Sequence, residues 1–188
     1  SGAALEILQN GGNAIDAAVA AAAVLNVTEP HMTGMGGDMF AILWSAEEDR
    51  LVGLDASGRA GSLVSPEVLR AKGHEQVPYR GPEAVTVPGA LSGWAALVKR
   101  FGTMTLEEVL APAIRIAEEG FPVTPIIAGQ WRNTTEVLKR DVGASATYLY
   151  GGERGPEAGE WFRNPDLANT FRTVAAQGPE VFYGGALG

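Results

Sequence analysis

The sequence contains no cysteine in 188 residues. That excludes disulfides, thiolate-ligated zinc and a thiol nucleophile. Basic residues are scarce: 14 Lys and Arg stand against 22 Asp and Glu, a net charge of −8. Phosphate backbones and anionic lipid surfaces call for clustered Lys and Arg, so no nucleic-acid partner is expected. Long apolar runs are also missing. The longest, Ala14 to Leu25, contains Asp16 and stops at Asn26. It is too short to span a bilayer and reads as a buried core helix. Histidine is limited to His31 and His74, whereas a metal site usually needs two or three convergent ligands.

What is present is enough for a packed core. Apolar residues make up 46% and charged residues 19%, a folded rather than a disordered composition. Glycine at 25 and proline at 11 put many turns between short elements. No low-complexity tract, domain linker or internal repeat interrupts the chain. It opens at Ser1 without Met or a charged leader segment, and VFYGGALG closes it without a structural stop. Both ends read as cut from something longer, so residues 1–188 are expected to form a single partial domain. The compartment follows from what precedes Ser1: periplasmic or extracellular with a leader, otherwise cytoplasmic.

Local signals predict the elements. Residues 2–9 (GAALEILQ) form a helix with Ala4, Leu5 and Leu8 on one face, ended by Gly11 and Gly12. Asn13 caps a second helix, AIDAAVAAAAVLNV, with Asp16 in its first turn, where negative charge suits the dipole. This helix is apolar nearly all round and therefore buried on most faces. MFAILW (39–44) reads as a buried strand, SAEEDR as a polar turn with a solvated tip, and LVGLDA (51–56) as the second strand of a hairpin. Ser65-Pro66 starts a short helix. Residues 73–88 read as loop or edge strand. Gly89 to Phe101 is amphipathic. Thr105-Leu-Glu-Glu108 is a capping box for a helix to about Glu119. Thr124-Pro125 and Asn164-Pro165 open helices to about Lys139 and Gly178. Gly151 to Trp161 is a polar loop. The fold class is α+β, helix-rich with one hairpin.

Few residues carry chemistry on their own. The segment Glu29-Pro-His-Met-Thr-Gly-Met-Gly-Gly-Asp38 is either a ligand-cradling loop or a tight helix-to-strand connection. It is not a phosphate loop, because no Lys-Ser/Thr follows the glycines and a strand follows instead of a helix. Glu29, His31 and Asp38 match no metal-ligand spacing. No Gly-x-Ser-x-Gly elbow is present. Trp44, Trp94, Trp131 and Trp161 suit core or half-buried positions, and no cofactor is expected. In Asp55-Ala-Ser-Gly-Arg59-Ala60, an Arg just past a strand and a Gly can project into a cleft. Its guanidinium would grip a carboxylate in a two-pronged contact.

Three long blocks then carry a resemblance. ILQNGGNAIDAAVAAAAVLNVTEPHMTGMGGDMF (7–40), VPGALSGWAALVKRFGTMTLEEVLAPAIRIAEEGFPVT (87–124) and NPDLANTFRTVAAQGPEVFYGGAL (164–187) resemble, in order and spacing, the early part of the large subunit in the gamma-glutamyltranspeptidase family. The resemblance implies an N-terminal-nucleophile hydrolase with a four-layer αββα sandwich built from both subunits. It implies a precursor that cleaves itself, leaving a small subunit as heterodimer partner with a Thr at its new N-terminus. The α-amine of that Thr titrates near neutrality beside the hydroxyl it activates. The implied substrate is glutathione or another gamma-glutamyl small molecule. The nucleophile Thr and the oxyanion-hole glycines have no counterparts among these residues, so no catalytic residue is assigned in this chain. Arg59 matches the large-subunit Arg that holds the substrate α-carboxylate. Many members have a pattern like Asp-x-Arg-Glu there; here the Asp-to-Arg spacing is longer and Ala60 replaces the acidic follower. Ser1 opens a helical pattern rather than a strand, which excludes it as the nucleophile.

Three other readings stand beside the transferase or hydrolase, the last two of them non-catalytic. One is a related, cephalosporin-acylase-like acylase. The others are a scaffold that binds a carboxylate and a structural partner subunit.

Overall fold

The computed structural model describes residues 1–188. Along the chain, α1 (Gly2–Gln9) and α2 (Ala14–Thr28) are followed by the strands β1 (Met39–Ser45) and β2 (Arg50–Ala56). Then come α3 (Pro66–Ala71), a 3-10 turn at Pro82–Ala84, α4 (Ala90–Phe101) and α5 (Leu106–Glu119). The remainder is β3 (Phe121–Pro122), α6 (Pro125–Leu138), α7 (Val142–Tyr148), β4 (Trp161–Phe162), α8 (Pro165–Gln177) and α9 (Glu180–Tyr183). This is a helix-rich α+β chain, as the sequence predicts. No helix is long and apolar enough to cross a membrane. The contacts divide it into two compact units, Ser1–Thr33 with Gly102–Gly188, and Gly34–Phe101.

The first unit is a helical core. α2 packs on α1 and α5, and α5 packs on α8. The buried positions are small or branched: Val19, Ala20, Ala23 and Val27 of α2, Val109, Leu110, Ala113 and Ala117 of α5, Ala168, Phe171 and Val174 of α8. Alanine along α2 and α5 lets the helix axes approach closely, and Phe171, fully buried, fills the wider space at α8. A second, aromatic cluster sits around Trp131, whose ring meets Phe162 edge-on at 4.7 Å and whose indole N–H donates to the Tyr148 carbonyl at 3.0 Å. The two-residue pair β3–β4 sets Phe121 opposite Phe162.

Two helices differ from expectation in this unit, α1 in its buried face and α2 in its end. In α1 the buried residues are Ala3 and Ile7, while Leu5 and Leu8 are exposed. An eight-residue helix with apolar side chains at most positions has no single stripe, and the i, i+4 pair that meets α2 is the one that is buried. α2 extends one residue past the predicted AIDAAVAAAAVLNV, which ends at Val27. It runs on to Thr28, with the Asn26 Nδ2 donating to the Ala22 carbonyl at 3.1 Å and to the Thr33 hydroxyl at 3.0 Å.

The second unit is a hairpin with a helix on one face. β1 and β2 pair antiparallel, with Met39 opposite Ala56, Ile42 opposite Gly53 and Trp44 opposite Leu51. α4 packs against both strands. Gly93 makes that contact possible: a Cβ there would lie 2.7 Å from the Ala56 Cβ and 2.9 Å from the Met39 sulfur. The hairpin tip is not merely solvated. Glu48 pairs with Arg50 and, at 2.9 Å, with Arg100 of α4, and these bonds, Arg100 first, hold its carboxyl below the ordinary value.

β1 is not buried as its apolar run suggests. Phe40 is 71% exposed, Ile42 78%, Trp44 60% and, across the ladder, Leu51 65%. Successive strand residues alternate between faces, so these four share the face opposite α4, and nothing in this unit covers it. The same geometry corrects two tryptophans: Trp94 and Trp131 are core, whereas Trp44 and Trp161 are mostly exposed.

Candidate functional site

The Arg59 loop is built at the end of β2. Asp55 turns its carboxylate onto Ser57, Oδ1 accepting the hydroxyl at 2.6 Å and the amide at 2.9 Å. This Asx turn takes the chain out of the strand after Ala56. The same bonds, the hydroxyl's first, hold the Asp55 carboxyl below its ordinary value.

Gly58 comes next, and it must be glycine for lack of space: a Cβ would overlap the Val87 carbonyl oxygen. Gly89 is crowded in the same way by the Ala56 carbonyl. Between these contacts the backbone is tied on both sides. The Val87 amide donates to the Arg59 carbonyl at 2.8 Å, and Ala60 pairs with Thr86 in an antiparallel bridge. Asp38 closes the arrangement. Its Oδ1 accepts the Gly58 amide at 2.8 Å and the Thr86 hydroxyl at 2.9 Å. Gly37 adds a carbonyl that accepts the amides of Gly89 and Ala90, both at 2.9 Å.

On this fixed backbone the Arg59 side chain is exposed, and no hydrogen-bond or ion-pair partner in the chain engages its guanidinium. Five N–H donors in a planar fork are thus held on a rigid loop and turned to solvent, which suits a carboxylate ligand.

Glu29 and His31 belong to the first unit and Asp38 to the second. His31 Nε2 pairs with Gln130 Oε1 at 2.6 Å, and no three His, Asp or Glu side chains gather as metal ligands. Ser1 precedes α1 without a side-chain cap bond. The glycine run 34–37 is a turn closed by the Gly37 amide on the Gly34 carbonyl at 3.0 Å. A Cβ at Gly36 would meet nothing, so the tight approach expected there lies instead at Gly58 and Gly89. Asp38, Thr86 and Gly89 are the parts of this loop that sequence reasoning missed. The only local signal was the Asp that ends the glycine run.

The chain matches the family model for gamma-glutamyltranspeptidase over residues 1–188. It is 42% identical over its full length to the oxamate amidohydrolase proenzyme of Klebsiella pneumoniae, covering 36% of that protein. It is 40% identical over 96% of its length to a glutathione hydrolase-like proenzyme of Bacillus subtilis, covering 34% of it. Among solved structures, cephalosporin acylase from Bacillus halodurans superposes with a TM-score of 0.91 at 45% identity, over 98% of this chain and 35% of that one. The chain therefore spans about a third of the length of these relatives, and over that third it belongs to the gamma-glutamyltranspeptidase family.

Proposed function

We propose that the full-length protein is a self-processing N-terminal-nucleophile amide hydrolase or acyltransferase, and that this chain supplies the grip on a carboxylate of its substrate. The observation that carries the reading is Arg59: an exposed, unpaired guanidinium on a loop fixed by backbone crowding, in a chain matched by the family along its whole length. Two of the relatives are proenzymes by name, which supports a precursor cleaved into two subunits. Attack by the hydroxyl of a Thr outside these residues would break the substrate's amide C–N bond, release the amine with the hydroxyl's proton and form an acyl-enzyme ester. Water or an amino compound would then release the acyl group. Arg59 acts in binding and orientation, holding the carboxylate so that the scissile carbonyl meets the nucleophile in register.

The exposed apolar face of β1–β2 supports the layered part of the reading. α4 covers one face of the hairpin, and Phe40, Ile42, Trp44 and Leu51 present the other. In the full-length protein a second sheet from the remainder of the chain packs there, as in an αββα sandwich.

Gamma-glutamyl amides are the leading substrate class. Oxamate is a second reading, favoured by the 42% identity to a protein named for it. Both carry a free carboxylate, at different distances from the scissile bond. The test is to express the full-length precursor, confirm self-cleavage, and compare turnover of a gamma-glutamyl anilide, oxamate and an uncharged amide. Turnover of a carboxylate-bearing amide with little of the uncharged one supports the proposal. Preference for the uncharged amide would contradict it. The 188 residues alone are expected to turn over none of the three.

A further inference from the structure

We infer that Asp38 is a positioning residue for the carboxylate grip, acting through the backbone of the Arg59 loop; the inference rests on the reading of Arg59 given above. One oxygen of Asp38 accepts two hydrogen bonds from opposite sides of the loop, from the Gly58 amide at 2.8 Å and from the Thr86 hydroxyl at 2.9 Å. Gly58 immediately precedes Arg59, and Thr86 is the bridge partner of Ala60, which immediately follows it. Asp38 therefore holds the residues on either side of Arg59 at once. No other side chain does this: the remaining ties to the loop, from Val87 to Arg59 and within the Asp55–Ser57 turn, each secure one side.

The chemistry suits the task. A carboxylate oxygen has lone pairs for both donors, and charge-assisted bonds to backbone N–H are shorter and stiffer than neutral ones. Asp38 lies at the start of β1, whose first residue Met39 pairs with Ala56 at the end of β2. The clamp thus spans the open end of the hairpin, where the ladder itself no longer restrains the chain. Without it, Gly58 is held by crowding, with backbone ties only from Arg59 onward, and the direction in which Arg59 leaves the loop is less restrained. A displacement of about 1 Å in a substrate-holding group costs up to about a hundredfold in kcat/KM.

The experiment uses the full-length, processed enzyme and a carboxylate-bearing amide that it turns over. Asp38→Ala should raise KM about ten- to a hundredfold with kcat changed much less. Asp38→Asn keeps an oxygen that accepts both bonds and should restore most of the KM. Thr86→Val removes one arm and should give an intermediate KM. In an Arg59→Ala background, Asp38→Ala should cost nothing further in kcat/KM, because the two act as one unit. If Arg59→Ala raises KM and Asp38→Ala adds its own full cost on top, or lowers kcat without touching KM, the positioning role is overturned while the Arg59 reading stands. If Arg59→Ala leaves KM unchanged, both fall. Should Asp38→Ala fail to fold or self-cleave, Thr86→Val and Asp38→Asn carry the same comparison.

Discussion

Asp16 and Thr103, 87 positions apart, are joined through a single oxygen: Asp16 Oδ2 accepts the Thr103 hydroxyl at 2.8 Å and its amide at 3.0 Å. The same oxygen accepts the Asn13 amide at 2.9 Å, completing a capping box at the start of α2. The Asp16 side chain is fully buried. One carboxylate thereby caps one helix and anchors the turn that leads into another.

Removing that carboxylate should be costly. Asp16→Ala breaks the cap and leaves the Thr103 and Asn13 amides unsatisfied, an expected loss of about 2–4 kcal/mol. Thr103→Val removes only the hydroxyl bond and should cost about 1 kcal/mol. Urea unfolding of the full-length protein checks the order; equal losses would mean that the cap and the amide bonds contribute nothing beyond the Thr103 hydroxyl bond.

The sequence showed Asp16 only as a first-turn acid, because its partner is distant in the chain. Caps were legible because they are local: Asn13, Ser65, Thr105, Thr124 and Asn164 each accept the amide two or three residues on. Faces were not. α1 and β1 are apolar at nearly every position, so periodicity could not say which side is covered. α7 was missed because VGASATY has no apolar period, and only the Asp141 cap marks it. Within the proposed site, Arg59 was singled out by its position and the family resemblance. Asp38 was not, since its partners Gly58 and Thr86 lie 20 and 48 residues away.

Acid should expose the same carboxylate. Burial alone would push Asp16 up, but the bonds from Asn13, Thr103 and Met104 outweigh it and leave the group below 3.8. Its folded value is depressed, so its contribution is complete above the unfolded value and is lost as pH falls through the folded one. Glu160, held at about 2 by Arg154 and the Glu157 amide, has the same sign but sits at the surface. The stability gap between wild type and Asp16→Asn should shrink below about pH 4 and persist in salt. The gap for Glu160→Gln should shrink in both acid and salt. Thermal melts across pH and NaCl concentration separate the two; a salt-sensitive Asp16→Asn gap would contradict the burial of Asp16.

Burial along α2 gives a graded prediction. Ala20 and Ala23 are fully inaccessible, whereas Ala21, a half-buried neighbour, is not. Ala20→Asp introduces an unpaired carboxylate into the helical core at a cost of several kcal/mol and should prevent folding. Ala21→Asp should be milder. Soluble yield and melting temperature of the two variants decide; equal stability would show that α2 is not packed as described.

The exposed face of the hairpin predicts a substitution that matters only if that face is covered in the full-length protein. Ile42→Glu would place a charge at the centre of Phe40, Trp44 and Leu51. Stacked against a second sheet, it should abolish soluble, self-cleaved enzyme. Normal yield and complete self-cleavage would mean that no sheet packs there.

The most direct test of the central claim is Arg59→Lys in the full-length, processed enzyme. Lys keeps the charge and loses the two-pronged geometry. The expected result is a KM raised for a carboxylate-bearing amide, with kcat/KM down by about 2 kcal/mol, or about thirtyfold. Self-cleavage should be unchanged, since the precursor's own peptide bond is held covalently, and an analogue lacking the carboxylate should be turned over as by the wild type. An unchanged KM, or an equal loss for substrates with and without the carboxylate, would contradict the account.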